Sequence, residues 1–241
     1  MVFLFPLLFF FSTFSQAEFR LQTNLTQSQR KDVLQVLGLG SSNKNLSTLE
    51  PLGTEDGLEL AISFELLDTG TIRDLLADSQ SKSTLYYPRI IIGKGLYDRT
   101  DLFFHFIPYT ATFGISEFGA SLRFNFLRED SAPFIFSGLL HANSANFNNQ
   151  LVSRNLGADA MLGTLVTSSL SVFTTLGWTV SHGKFVGGTQ GVTDTLDEEK
   201  EDVYAFHTAF ACTQKWDTVS LTASFDYYKA PVYSLKLSTL F

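Results

Sequence analysis

Leu58-Glu59-Leu60-Ala61-Ile62-Ser63-Phe64-Glu65-Leu66-Leu67 is the stretch on which the fold turns. Side chains alternate across an extended chain, so Leu58, Leu60, Ile62, Phe64 and Leu66 share one face, and Glu59, Ala61, Ser63, Glu65 and Leu67 the other. The same period of two returns downstream. Phe118, Ala120, Leu122, Phe124 and Phe126 alternate with Gly119, Ser121, Arg123 and Asn125; Leu170, Val172, Thr174, Leu176, Trp178 and Val180 alternate with Ser171, Phe173, Thr175, Gly177 and Thr179; Val219 to Tyr228 repeats the pattern. Working outward, strands are expected at residues 58–67, 84–94, 102–110, 117–126, 133–142, 151–163, 169–181, 201–213, 218–228 and 232–241. The segment 102–110 is the least regular, because Leu102, Phe103, Phe104, Phe106 and Ile107 make both faces apolar.

Most of these segments have about the 9–11 residues that a tilted strand needs to cross a bilayer. Ten such strands must hide a row of apolar side chains and satisfy every backbone amide. In lipid only a closed sheet does both. A two-sheet sandwich would bury the same faces in water, so alternation alone leaves it open. The connections supply a second signal. Every even-numbered connection is short, and the two longest are the first and the seventh, an asymmetry of the kind that membrane barrels show between periplasmic turns and external loops. The expected fold is therefore all-β, a closed antiparallel transmembrane barrel of about ten strands preceded by a short helix.

The first 57 residues read differently. Val2 to Phe14 is an uncharged apolar stretch ending in Ser15-Gln16-Ala17, which reads as an export signal removed before Glu18, although no Lys or Arg precedes it. Its 13 residues fall short of the roughly 20 that a spanning helix needs. Residues 18–57 form a second unit. Thr26 and Gln29 have capping-box spacing, and Val33, Leu34, Val36 and Leu37 follow with helical periodicity, so a helix is expected from Gln27 to Leu37, then a Ser/Asn/Gly-rich linker. The expectation taken is a periplasmic lead-in packed beneath the barrel, with a plug entering the lumen as the alternative. Residues 58–241 are then the barrel. Cys212 is the only cysteine, so no internal disulfide is available. The net charge of −7 argues against a nucleic-acid surface.

Three local features resemble bacterial outer-membrane β-barrel proteins. Gly95-Leu96-Tyr97-Asp98-Arg99-Thr100-Asp101-Leu102 is similar to a Gly-Leu-x-Asp-Arg-x-Asp-Leu periplasmic turn of that class. Phe241, preceded at alternate positions by Leu237, Leu235 and Tyr233, is similar to the C-terminal signal read by barrel-assembly machinery, with Thr239 departing from the apolar preference. Tyr86, Tyr87, Tyr109, Phe134, Trp216, Tyr227 and Tyr228 crowd the strand ends as interfacial girdles would. The resemblance covers residues 58–241 and implies residence in the outer membrane, contact with its lipids and lipopolysaccharide, and recognition by the assembly machinery. It implies an architecture, not an activity.

Glu59, Glu65, Arg89, Arg123, Asp159, His207, Asp226 and Lys236 are expected on the inward faces. With both signs present they read as a paired lumen network. An eight-stranded barrel is filled by its own side chains, so ten strands imply a largely filled or narrowly gated pore with a structural or surface role. An enzyme is the alternative. Leu140-His141-Ala142-Asn143-Ser144 loosely resembles the His-x-Ser-Asn stretch of lipid A deacylase barrels, which makes His141 and Ser144 the candidate base and nucleophile. The spacing is three rather than two, and no acid stands nearby to orient the base. An omptin-type protease would need an aspartate pair and an Asp-His pair, and only single candidates occur. The histidines at 105, 141, 182 and 207 lack metal-ligand spacing, so neither a metal nor another cofactor is implied. The acidic loop around Asp194, Asp197, Glu198 and Glu199 reads as a solvated external loop. A third class, a soluble periplasmic β-protein binding an apolar ligand, also fits the alternation.

Overall fold

A computed structural model describes residues 20–44, 46–54, 57–77, 83–109, 114–127, 134–189 and 191–241. The expected export signal, residues 1–17, lies outside the described residues. Ten antiparallel strands close on themselves: β1 (Leu58–Asp68), β2 (Thr84–Tyr97), β3 (Thr100–Ile107), β4 (Ile115–Leu127), β5 (Ile135–Phe147), β6 (Leu151–Leu165), β7 (Leu170–Phe185), β8 (Glu199–Trp216), β9 (Val219–Tyr227) and β10 (Pro231–Leu240). Each pairs with its chain neighbours, and β1 pairs with β10, from Glu59 opposite Leu240 to Leu67 opposite Val232. The seam is finished by Phe241, whose N–H donates to the Leu58 carbonyl at 2.9 Å. No strand edge is left to pair elsewhere, which is what closure achieves.

The barrel is apolar outside and polar inside. Leu60 and Phe64 on β1, Phe118 and Phe124 on β4, Leu176 and Trp178 on β7, Phe206 and Phe210 on β8, and Leu235 and Leu237 on β10 all stand exposed on the outer surface, with Phe206 79% exposed. Between them on the same strands, Glu59, Glu65, Arg123, Thr175, His207 and Lys236 are buried in the lumen. An exposed apolar belt around a charged interior reverses the distribution of a water-soluble domain. In β3, where the sequence left both faces apolar, Leu102, Phe104 and Phe106 point out while Asp101, Phe103, His105 and Ile107 point in. The girdle expectation needs correction at two positions. Tyr86, Tyr109, Phe134, Trp216 and Tyr227 are exposed, but Tyr87 and Tyr228 are buried in the lumen, because strand neighbours cannot share a face.

The two ends of the barrel differ. One end carries connections 69–83 and 186–198, the longest, together with 108–114, 148–150 and 228–230; the other carries 98–99, 128–134, 166–169 and 217–218. We call them the loop end and the turn end. Residues 70–75 of the first loop form a 3-10 turn. The motif expected as a periplasmic turn is the β2–β3 turn, at the turn end.

The N-terminal segment runs through the lumen, so the plug alternative describes it and the lead-in beneath the barrel does not. It begins at the loop end, where Leu21 bridges Leu76 and Leu25 bridges Thr193. Helix α1 (Gln27–Val33) follows, closed by the expected capping box: the Thr26 N–H donates to Gln29 Oε1 at 2.9 Å, and the Gln29 N–H returns to Thr26 Oγ1. The helix widens into a π-turn over Leu34–Gly38. The chain then descends as irregular backbone to the turn end, where the Leu52 N–H donates to Asp101 and residue 57 leads into β1. The helix was legible because its cap and its apolar face are local. The linker's Ser, Asn and Gly residues read as solvated, yet here the lumen wall supplies the hydrogen bonds that water would.

Candidate functional site

The lumen is the site, and the threaded segment is its main occupant. Two apolar layers bracket it. At the loop end, Val33, Leu34 and Leu37 pack against Phe147, Leu151, Phe185, Val203 and Val232. At the turn end, Leu49 packs with Ile135, Leu139, Met161 and Phe173, and Leu52 with Ala61, Ile91 and Phe103. Each fully buried leucine contributes about 1.5–3 kcal/mol relative to exposure. The fit is close at Gly38, where a Cβ would come within 2.4 Å of Ser181 Oγ on β7. Any larger residue there would push the π-turn off the wall.

Between the layers lies a charged network shared by wall and segment. Arg89 Nη2 donates to Glu117 Oε2 at 2.8 Å and to the Ser41 carbonyl at 3.1 Å, while its Nη1 lies 2.8 Å from Glu65 Oε1. Lys44 of the segment stands 3.3 Å from the other Glu65 oxygen and donates to the carbonyls of Gly40 and Ser42. Near the turn end Arg123 grips Asp101 through Nε and Nη2 (2.9 and 2.7 Å) and donates to the segment carbonyls of Thr48 and Glu50. Lys236 binds Glu59, which also accepts from Ser47 of the segment. Charge-assisted, two-toothed bonds of this kind are the strong ones, and with both partners buried, removing either is costly.

At the loop mouth Arg30 holds the segment. Its Nε donates to Glu201 on β8 at 3.1 Å, and its Nη1 to Asp194 in loop 186–198 at 2.6 Å and to the Leu25 carbonyl. Burial works against the Arg30 cation, but the bonds to the two carboxylates outweigh it and raise its pKa. The bond from Arg30 in turn holds the Asp194 carboxyl below its ordinary value.

All eight residues expected to face the lumen do so, and they fall into separate clusters rather than one site. Sequence reasoning missed Asp101, His105, Glu117 and Lys44, which complete those clusters. Strict alternation inside β3 and β4 places the first three inward; Lys44 carried no such signal, lying in irregular backbone. His141 and Ser144, the candidate hydrolase pair, come apart. His141 is buried in the lumen and Ser144 is exposed on the outer surface, since three residues along a strand is an odd step. His141 instead faces Asp159, whose Oδ1 lies 3.4 Å from His141 Nε2 and 3.2 Å from His207 Nε2. Gly157 and Gly177 on the neighbouring strands make room, because a Cβ there would meet the His141 and His207 rings within 2.4 Å. Around this trio the buried side-chain atoms of Asn155, Thr175, Thr179 and Ser181 have no protein hydrogen-bond partner. Together with the trio they make a polar strip of wall over β5–β8. A cavity of about 20 Å³, room for a single water, lies on the opposite side between Lys44, His105 and Lys236. Among the described residues no cluster of His, Cys, Asp and Glu has the geometry to hold a metal.

No family model matches the chain, and no curated protein matches its sequence. Among solved structures it is similar to the KdgM porin (12% identity over 76% of this chain and 99% of that one, TM-score 0.40). It is also similar to Ail, the attachment invasion locus protein of Yersinia pestis (10% identity, 78% and 100%, TM-score 0.33). A third is the N-terminal β-barrel domain of Pseudomonas aeruginosa OprF (11%, 78% and 98%, TM-score 0.32). The likeness is one of barrel architecture.

Proposed function

We propose that this chain is an outer-membrane barrel whose narrow pore is closed by its own N-terminal segment, with no catalytic role. The observation that carries the reading is the path of the described residues 20–44 and 46–54 from the loop end to the turn end, through a lumen that ten strands alone would leave partly open. The exposed apolar belt supports a membrane setting, and the longer connections at one end support placing that end outside. Tyr233, Leu235, Leu237 and Phe241 all face outward on the closing strand, where assembly machinery and lipid could reach them. The polar strip of wall over β5–β8 supports a pore that opens when the segment shifts.

A reversible lock tests this. Leu21 and Leu76 are antiparallel bridge partners, within disulfide reach, so Leu21→Cys with Leu76→Cys on a Cys212→Ser background ties the segment to the loop end. In planar bilayers the oxidised protein is expected to conduct rarely and the reduced protein to open often. Equal conductance in both states would sink the plug reading.

A further inference from the structure

We propose that the pore uncovered when the segment moves is selective for cations, so that the solutes it passes are small cations. This inference rests on the plug reading and goes beyond it by naming the solute class. From Glu201 at the loop mouth to Lys215 at the turn end, the barrel wall turns four cations inward: Arg89, Arg123, Lys215 and Lys236. Against them stand seven carboxylates, namely the six already placed in ion pairs (Glu59, Glu65, Asp101, Glu117, Asp159, Glu201) and Asp226. With the histidines neutral the wall sums to 4 − 7 = −3. Residues 20–57 of the segment carry Arg20, Arg30, Lys31 and Lys44 against Asp32, Glu50, Glu55 and Asp56, or 4 − 4 = 0. The excess negative charge therefore belongs to the wall.

The local pairing agrees with the sum. Glu59, Asp101 and Glu117 are each bound by a wall cation, and they keep it if the segment leaves. Glu201 has Arg30 of the segment as its ion-pair partner, and Glu65 shares Arg89 with Lys44 of the segment. Asp226 accepts from Ser224, and Asp159 sits between two imidazoles, so neither is bound by a wall lysine or arginine. Withdrawing the segment therefore takes Arg30 from Glu201 and Lys44 from Glu65, leaving Glu65 and Glu117 to share Arg89 and Glu201, Asp159 and Asp226 without a lysine or arginine, an excess of carboxylate facing a narrow, low-dielectric lumen. Rings of carboxylates in that setting attract cations and repel anions.

The full-length Arg30→Ala protein, which loosens the segment without adding charge, provides the test by reversal potential in a potassium chloride gradient. The expected result is frequent opening with potassium favoured over chloride on the order of tenfold. Neutralising Glu65→Gln and Asp226→Asn in that background should carry the preference most of the way to unity; Glu201→Gln, which loosens the segment and removes one wall charge together, is the second route should the double change misfold. Openings without cation preference would overturn this inference and leave the plug reading intact. No openings from Arg30→Ala, from Glu201→Gln or from the reduced cysteine lock would overturn both.

Discussion

The wall and the segment it encloses have similar chemistry and opposite kinds of order. The wall is held by a continuous backbone ladder, from Glu59 opposite Leu240 round to Leu58 opposite Lys94, and each strand is fixed by two neighbours. Among its described residues the segment, beyond its helical turns and terminal bridges, has no ladder. It is held by side chains of the wall reaching its carbonyls: Arg89 to Ser41, Arg123 to Thr48 and Glu50, Tyr87 to Gly40. Closing a sheet is cooperative, whereas a set of side-chain contacts can be released in parts. The contrast teaches that one chain can supply both a closed wall and an occupant held to it by side chains.

The sharpest way to break this contrast is at a residue that serves both regions. Arg123→Ala leaves Asp101 buried without its cation and frees two segment carbonyls, so it should lower barrel stability by about 3–5 kcal/mol. A shift in heat-modified gel migration measures this, and an unchanged unfolding temperature would show that the Arg123 bonds carry little. Next in size is the outer face. Leu176→Arg, near the middle of β7 and 65% exposed, places a charge in hydrocarbon at a cost of roughly 2–4 kcal/mol, and should reduce insertion into membranes. Normal insertion of that variant would contradict the membrane setting.

Arg30→Ala separates the two regions. It loses the segment's charged hydrogen bonds to Glu201 and Asp194, worth about 1.5–3 kcal/mol, while every bond of the strand ladder stays in place. Proteolysis near Lys31 should accelerate while the barrel's own unfolding temperature holds. A matched fall in both would mean that wall and segment melt as one. The smallest effect is acidic pH. Because Arg30 holds the Asp194 carboxyl below its ordinary value of about 3.9, this latch contributes stability above about pH 4 and loses it as pH falls through the lowered value. Opening frequency should rise on acidification below pH 4, and Asp194→Asn should flatten that rise.

The same contrast explains what the sequence disclosed. The wall was legible because period two is local: Leu58 to Leu67 announces β1 without reference to any partner, and the expected strands overlap all ten, although 102–110 showed no clean alternation. The inward set followed from the same alternation, including residues such as Asp159 whose partners lie on other strands. What alternation also forbids was overlooked at Tyr87, Tyr228 and Ser144, each an odd step from a residue assigned to the same face. The segment's place was illegible for a different reason. Ser41, Ser42, Asn43 and Lys44 are polar and would suit solvent, and only the closed wall, with its inward Arg89, Asn143 and Glu65, offers them equivalent partners. A helix with a good cap is visible in sequence; the cavity that receives it is assembled from strands distant in the chain.

Threading from one end to the other is the central claim, and sidedness tests it directly. Thr23 is exposed at the loop end and Thr54 at the turn end. On a Cys212→Ser background, Thr23→Cys and Thr54→Cys are each exposed on intact cells to a maleimide carrying a polymer too large to enter any pore. Thr23→Cys is expected to label at once, and Thr54→Cys only after the outer membrane is broken. Labelling of both positions from the same side would contradict the account.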